Sequence, residues 1–369
     1  MKTLAYTVRF ITPAFLGNAE QNGQWRTPPF KALLRQWWRV AYAADRRFEV
    51  NLAEMRREEG RLFGNAWLSH RENGREVTDH SKSLLRIRLD RWDGGKLENW
   101  TSLPTVAHPE VKFAVGSDLY LGYGPLTLPK GAKQAAIKAN AAIQAGDSAI
   151  LSLAVPTTHR DTDLTRLLED NAPRLERALW LMDRYGTLGG RSRNGWGSFT
   201  LLPLPLGEGR GEGTPLAGTP PLRDWKQALD LDWPHALGQD DRPLIWQTKP
   251  CADWKELMRE LAIIKIGLRT QFKFTTGNNA PAPEARHWLS HPVTRHNVAA
   301  WSQGRLPNSL RFKVRVAPDD PKQLVGVIFH VSCRPPDAFQ PDHQAIEKVW
   351  ATVHAFLDNP ARNLTRIKE

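Results

Sequence analysis

The sequence predicts an α+β fold with antiparallel sheets, and three observations carry that prediction. Short stretches of period-2 alternation are interleaved with stretches of helical spacing, and the second half of the chain repeats the logic of the first. At 369 residues the chain is long enough for two domains. A hydrophobic share of 41% is enough to build their cores.

The elements follow in order. Leu4, Tyr6, Val8 and Phe10 share one face of a strand over residues 4–11. A polar loop, Gly17 to Gln24, leads to Thr27, a candidate N-cap, and to Pro28, which suits a first turn. Phe30, Leu33, Leu34, Trp37 and Ala41 then recur at helical spacing. Residues 45–82 read as charged and irregular, with one helical piece over 52–63. A strand follows at 83–90, and residues 91–147 read as a long insertion. A buried-type strand spans 149–155, a helix about 163–184, and a strand 198–202. The order strand–helix–strand–strand–helix–strand is that of the ferredoxin-like, or RRM-type, module. Residues 203–221 carry little apolar surface and read as a low-complexity linker or loop.

Residues 222–369 suggest a second module of the same type. It has a short strand at 244–246, a helix marked by Trp254, Leu257, Leu261 and Ile264, a hairpin of 309–316 with 324–331, and a last helix through Ile346 to Phe356. Strict alternation in the first hairpin strand predicts Leu310, Phe312, Val314 and Val316 inward and Arg311, Lys313 and Arg315 outward. The reading is thus tandem ferredoxin-like modules with large insertions: an N-terminal domain over 1–202, a linker, and a C-terminal domain over 222–369.

The formal net charge of +12 favours a polyanionic partner, nucleic acid first. Fifteen tryptophans suit stacking on bases, although most tryptophans pack in cores. Cys251 and Cys333 set no disulfide framework and form no CxxC pair, which excludes a zinc ribbon and suits a reducing cytoplasm. The start of the chain lacks a signal-peptide run, and no stretch approaches the roughly 18–20 apolar residues of a membrane helix.

No catalytic set is recognisable. GxSxG and GxxxxGK[ST] are absent. His287, His291 and His296 cluster, but Pro292 interrupts any helix that would align them on a metal. His159 follows a strand end, where a general acid or base can sit; a solvated loop is the simpler reading. No cofactor is expected.

Binding chemistry is richer. Lys31, Arg35 and Arg39 recur at i, i+4 and i+8, a stripe roughly 12 Å long that suits two phosphates. A solvated helix face explains it equally. Arg26 precedes the helix start, where unsatisfied N–H groups favour an anion. The segment Thr187–Ser198 combines Gly189, Gly190, Gly195 and Gly197 with Arg191 and Arg193. Such a loop can bring backbone N–H groups and guanidinium forks to a phosphate; a helix stop followed by a tight turn is the alternative. Trp25, Trp37, Trp38 and Trp196 flank these sites, and at least one is a candidate for base stacking.

Two motifs together carry a family resemblance. The run Phe10-Ile-Thr-Pro-Ala-Phe-Leu-Gly17 with Arg26-Thr-Pro-Pro-Phe-Lys-Ala-Leu-Leu-Arg-Gln-Trp-Trp-Arg39 resembles the N-terminal signature of the RAMP superfamily of CRISPR proteins. Within it, the family of the first-numbered subunit of the type III-B Cmr effector complex is most similar. Gly189 to Ser198 resembles that superfamily's glycine-rich loop, and Phe63-Gly64 and Gly122-Tyr-Gly124 also fit. The match covers residues 1 to about 202. The resemblance implies a non-catalytic subunit that caps a ribonucleoprotein near the 3′ end of the guide CRISPR RNA and helps capture single-stranded target RNA. Its partners would be the other Cmr subunits, backbone and end-capping. By motif match, Arg35, Trp38 and Arg39 would lie in an RNA groove, with Arg191 and Arg193 beside it. Two alternatives stand: a RAMP endoribonuclease using His159, and a generic RRM-like RNA-binding protein.

Overall fold

The computed structural model describes residues 2–138, 141–156, 158–159, 162–163, 165–204, 216–301 and 303–368. The chain divides into two compact units: Met1–Leu97 with Asn140–Gly189 and Gly197–Pro221, and Glu98–Ala139 with Gly190–Trp196 and Leu222–Glu369. No described helix is long and apolar enough to cross a membrane.

The first unit contains β1 (Lys2–Phe10), α1 (Thr27–Asp45), α2 (Leu52–Phe63), β2 (Asn65–Glu72), β3 (Arg75–Ser81), β4 (Arg86–Leu89), β5 (Ser148–Val155), α3 (Thr165–Tyr185) and β6 (Phe199–Pro203). Its main sheet runs β6-β1-β5-β4, and every pairing is antiparallel. Alternation decides the faces. Tyr6, Val8 and Phe10 of β1 and Ala149, Leu151 and Leu153 of β5 are buried, while Arg9, Ser148 and Ile150 are exposed. Helix α1 starts at Thr27 with Arg26, not Thr27, in the N-cap position and Pro28 in its first turn. It buries Phe30, Leu33, Leu34, Trp37, Trp38 and Ala41 and packs on α3. Fully burying each large apolar side chain contributes roughly 1.5–3 kcal/mol, so this face dominates the helix's stability.

Several elements depart from the sequence expectation, among them the helix Ser117–Gly122 in the stretch read as an insertion and a short strand Thr365–Arg366 after the last helix. The stretch expected to be irregular holds the β2–β3 hairpin, closed by Asn73 (φ 51°) and Gly74 (φ 78°). Two consecutive positive φ values are what an Asn-Gly hairpin turn requires, and that dipeptide is the signal that could have revealed it.

The second unit contains β7 (Ile245–Gln247), α4 (Trp254–Thr270), β8 (Leu310–Val316), β9 (Leu324–His330), α5 (His343–Asp358) and β10 (Thr365–Arg366). Its sheet runs β8-β9-β7-β10, again antiparallel throughout. Counting β1, β4, β5, β6 and β7, β8, β9, β10 as first to fourth strands, both sheets have the spatial order fourth, first, third, second.

The predicted outward row on β8 is corrected. Arg311, Lys313 and Arg315 are buried, Lys313 completely. Burial, with the nearby Arg193 charge second, pulls Arg311 down to about 9. Alternation tells which residues share a face; it does not tell whether that face is covered.

Two buried histidines tie β9 to α5. His354 Nε2 and His330 Nδ1 share a hydrogen bond of 3.0 Å, and Trp350 stacks on His330 at 4.1 Å between ring centroids. Burial pushes His330 well below its ordinary range and, with Arg366 second, His354 to about 3. His354 is therefore neutral in the folded protein at pH 5, where an unfolded histidine with a pKa near ~6.5 is charged, and His330 is shifted in the same direction. The unfolded chain takes up these protons and the folded chain does not, so stability present above ~pH 6.5 is lost as pH falls below it. Melting followed by circular dichroism should show a lower transition temperature at pH 5.0 than at pH 7.5. His354→Gln should reduce that difference.

Candidate nucleic-acid interface

The helical stripe predicted from sequence lines a cavity of about 650 Å³ in the first unit. Lys31, Arg35 and Arg39 come from α1, Arg56 and Glu59 from α2, and the turn Phe63-Gly64-Asn65 with Ser81 and Ser83 closes the wall. Four cations face a single carboxylate, so the lining carries an excess of three positive charges.

Each side chain is positioned by local chemistry. Asn51 caps α2, its Oδ1 accepting from the N–H groups of Ala53 (3.1 Å) and Glu54 (3.2 Å). Met55, Leu62 and Phe63 bury one side of that helix, and Glu59 is buried with them, 1% exposed. Arg35 Nη2 donates to Glu59 Oε2 at 2.8 Å, Arg39 Nη2 donates to the same oxygen at 3.0 Å, and Arg39 Nε donates to Oε1. Desolvation raises the Glu59 pKa, but the hydrogen bonds and charges of the two arginines outweigh it and hold the carboxyl below its ordinary value. Lys31 is pulled down by burial first and by Arg35 second. A bound anion would reverse the second effect.

Glycine matters at one wall position. Gly64 ends α2 at φ +79°, and a Cβ there would lie 2.8 Å from Ser83 N and 2.9 Å from Ser81 O. Only glycine fits that bend without moving backbone. The hydroxyls of the wall are engaged with it: Ser81 Oγ donates to Gly60 O (3.2 Å) and Ser83 Oγ to Leu85 O (2.6 Å).

The other predicted residues are placed as follows. Arg26 Nη1 donates to Gly17 O at 2.7 Å, bracing the loop before α1. Trp38 is fully buried, packed on Tyr42 and Phe63, with Nε1 donating to Asn171 Oδ1 at 3.3 Å. Trp25, Trp37 and Trp196 are also fully buried, so none of the four tryptophans presents a ring face for stacking. Their helical or turn spacing marked core, and charge nearby in sequence did not make them surface.

The glycine–arginine segment serves packing more than cradling. Gly189 (φ +94°) has Phe15 O 2.7 Å from where a Cβ would stand, and Gly197 (φ +64°) lies against Leu188 O. The N–H of Gly197 donates to Pro13 O at 2.9 Å and that of Asn194 to Arg191 O at 2.9 Å, so these donors serve the fold. Gly190 begins the portion grouped with the second unit, which also holds Arg191 and Arg193; Arg35 and Arg39 belong to the first. Arg193 O accepts from Phe312 N at 3.0 Å, which attaches the segment to β8. Arg193 is lowered by burial, and Arg191 by burial and then by Arg305.

Arg56 was missed by the sequence reading. It lies one turn before Glu59, on a helix placed over 52–63 from the sequence with no role given to its charges. His159 lies in a two-residue strand paired with Thr162–Asp163, and its side chain is outside the described residues, as are positions 205–215 of the linker. His287, His291 and His296 bond to backbone groups, and among the described residues no cluster of three potential ligands could hold a metal ion.

The chain is similar in structure to Cmr1 from Pyrococcus furiosus. That crystal structure, an apo form, aligns with a TM-score of 0.44 and 14% identity over 99% of this chain and 98% of that one. A cryo-EM structure of the type III-B Cmr-β complex bound to cognate target RNA and AMPPnP aligns with a TM-score of 0.45 and 11% identity, over 95% and 99%. No family model matches the chain. No curated protein matches it either.

The cavity makes one prediction about stability. Glu59→Ala leaves two arginines facing each other over a buried void. Because both are about 40% exposed, the loss should be ~2 kcal/mol rather than the larger figure for a fully buried pair. Arg56→Ala, at an exposed position, should stay within about 0.5 kcal/mol. Urea unfolding of the two variants measures both.

Proposed function

We propose that this chain is a non-catalytic, RNA-binding subunit of a type III-B Cmr ribonucleoprotein, working in the cytoplasm. The observation that carries the RNA-binding reading is the cavity of the first unit, where Lys31, Arg35, Arg39 and Arg56 outnumber Glu59. A phosphodiester chain is a polyanion, and backbone phosphates would supply most of the affinity. The net charge of +12 draws such a chain in from a distance. No aromatic ring lines the cavity except Phe63, so the contact is to phosphate and sugar, with weak sequence preference.

The reading of two ferredoxin-like modules is supported by the common fourth-first-third-second order of the two antiparallel sheets. The subunit assignment follows the sequence resemblance of residues 10–17, 26–39 and 189–198. On that reading the chain caps the complex near the 3′ end of the guide RNA and joins other Cmr subunits in capturing target RNA. On the same reading Lys31, Arg35 and Arg39 are RNA-contacting cations of the first unit, with Arg26 and Gly189 as supports, and Arg191 is an RNA-contacting cation of the second, with Gly190 and Arg193 as supports.

Fluorescence anisotropy of the purified full chain with labelled single-stranded RNA tests the proposal. Affinity should fall linearly on a log–log plot against salt, and Lys31→Ala with Arg56→Ala should make the slope shallower by about 0.7 for each phosphate left unneutralised. Binding insensitive to salt, or unchanged in the double variant, would refute the cavity's role.

A further inference from the structure

The second unit presents cations and an aromatic ring that the cavity in the first unit does not use. The helix Ser117–Gly122 ends at Tyr123, whose side chain is exposed (66%). Glycines flank it on both sides. A Cβ on Gly122 would stand 3.0 Å from Trp196 Nε1 and from Leu126 Cδ1, and Gly124 sits at φ +118° beside the Arg191 guanidinium. Arg191 Nε donates to Tyr123 O at 2.5 Å. Asn194 Nδ2 donates to Leu121 O at 2.6 Å, and Asn194 Oδ1 accepts from Lys265 Nζ of α4. Arg269, one turn further along α4, donates from Nη1 to Ser290 Oγ at 3.0 Å. Arg191 and, through Asn194, Lys265 are thus hydrogen-bonded to the Leu121–Tyr123 backbone, while Arg269 is held separately by Ser290.

The charge of that patch is unbalanced. Arg191 is close enough to Arg305 and to Lys265 for the positive charges to repel, and Lys265 is close enough to Arg269. Burial first, and these neighbours second, pull Lys265 and Arg191 below their ordinary values. Glu110 is the carboxylate that acts on Arg269, and the Arg286 guanidinium already holds it at 2.7 and 2.8 Å. Arg191 and Arg305 are exposed and offer their charges to a ligand, whereas burial withdraws the charged ends of Lys265 and Arg269. Exposed guanidinium groups at Arg191, which is bonded to the Tyr123 backbone, and at the neighbouring Arg305, together with an exposed phenol, match a nucleotide: phosphates for the charges, and a base for the ring.

We infer that the second unit carries its own contact for single-stranded RNA, in which Tyr123 stacks on a base and the exposed Arg191 and Arg305 take the adjoining phosphates, with Lys265 and Arg269 supporting the patch from α4. The inference rests on the RNA-binding reading above and adds base contact to it.

The test uses the full chain and labelled oligouridylate, with anisotropy read across a salt series. Tyr123 and Arg305 are exposed, so Tyr123→Ala and Arg305→Ala should melt like the unaltered protein. Tyr123→Ala should weaken binding about tenfold with an unchanged salt slope, and Tyr123→Phe should restore it, because stacking needs the ring and not the hydroxyl. Arg305→Ala should weaken binding and lower the slope by about 0.7. If both alanine variants bind like the unaltered chain while Lys31→Ala with Arg56→Ala loses affinity, the second contact is refuted and the first stands. If the unaltered chain binds no oligouridylate, the RNA-binding reading fails and this inference fails with it.

Discussion

Glu59 is the group on which the cationic cavity depends. A buried carboxylate between α1 and α2 accepts from Arg35 and Arg39 with both oxygens, and so lets two arginines one helical turn apart share a face without mutual repulsion deciding their positions. The pairing is lopsided. Two guanidinium groups and the Lys31 ammonium share one full negative charge, and Arg56 adds a fourth cation. The arrangement orders the arginines without neutralising the site, which is what an anion-binding surface needs: donors held in place, with charge left over.

The two units solve the placement of basic residues differently. In the first, the arginines stay about 40% exposed and keep part of their hydration. In the second, the β8 row is withdrawn from solvent, and burial lowers the proton affinity of Arg311 to about 9. Removing a cation from water is expensive, and a lowered pKa is the thermodynamic trace of that expense. The patch around Tyr123 lies between these extremes, with exposed arginines at its rim and half-buried cations on α4.

The glycine–arginine segment shows how one motif can divide its labour. Gly189 and Gly197 allow the backbone to pass against Phe15 and Leu188, a packing role. Asn194 and Arg191 reach the carbonyls of Leu121 and Tyr123 and fix the segment around Tyr123. Its arginines differ as well: Arg193 is drawn inward, and Arg191 stays exposed.

The sequence by itself determined the order and type of most regular elements, the β2–β3 hairpin, the helix Ser117–Gly122 and β10 excepted, because hydrophobic periodicity is a local property of the chain. Strands at β1, β5 and β9 and helices α1, α2, α4 and α5 lie within a few residues of their expected bounds. It also determined that Lys31, Arg35 and Arg39 share one helix face. Only the tertiary structure decided which faces are covered. Trp38 and the β8 row carry the right residue types for a binding surface and are buried, whereas Arg56, Lys265 and Arg305 gave no motif in the sequence and lie beside cations brought from elsewhere in the chain, and Tyr123 was marked only by its flanking glycines. Burial and the meeting of like charges arise from contacts between distant segments, and no local pattern encodes them.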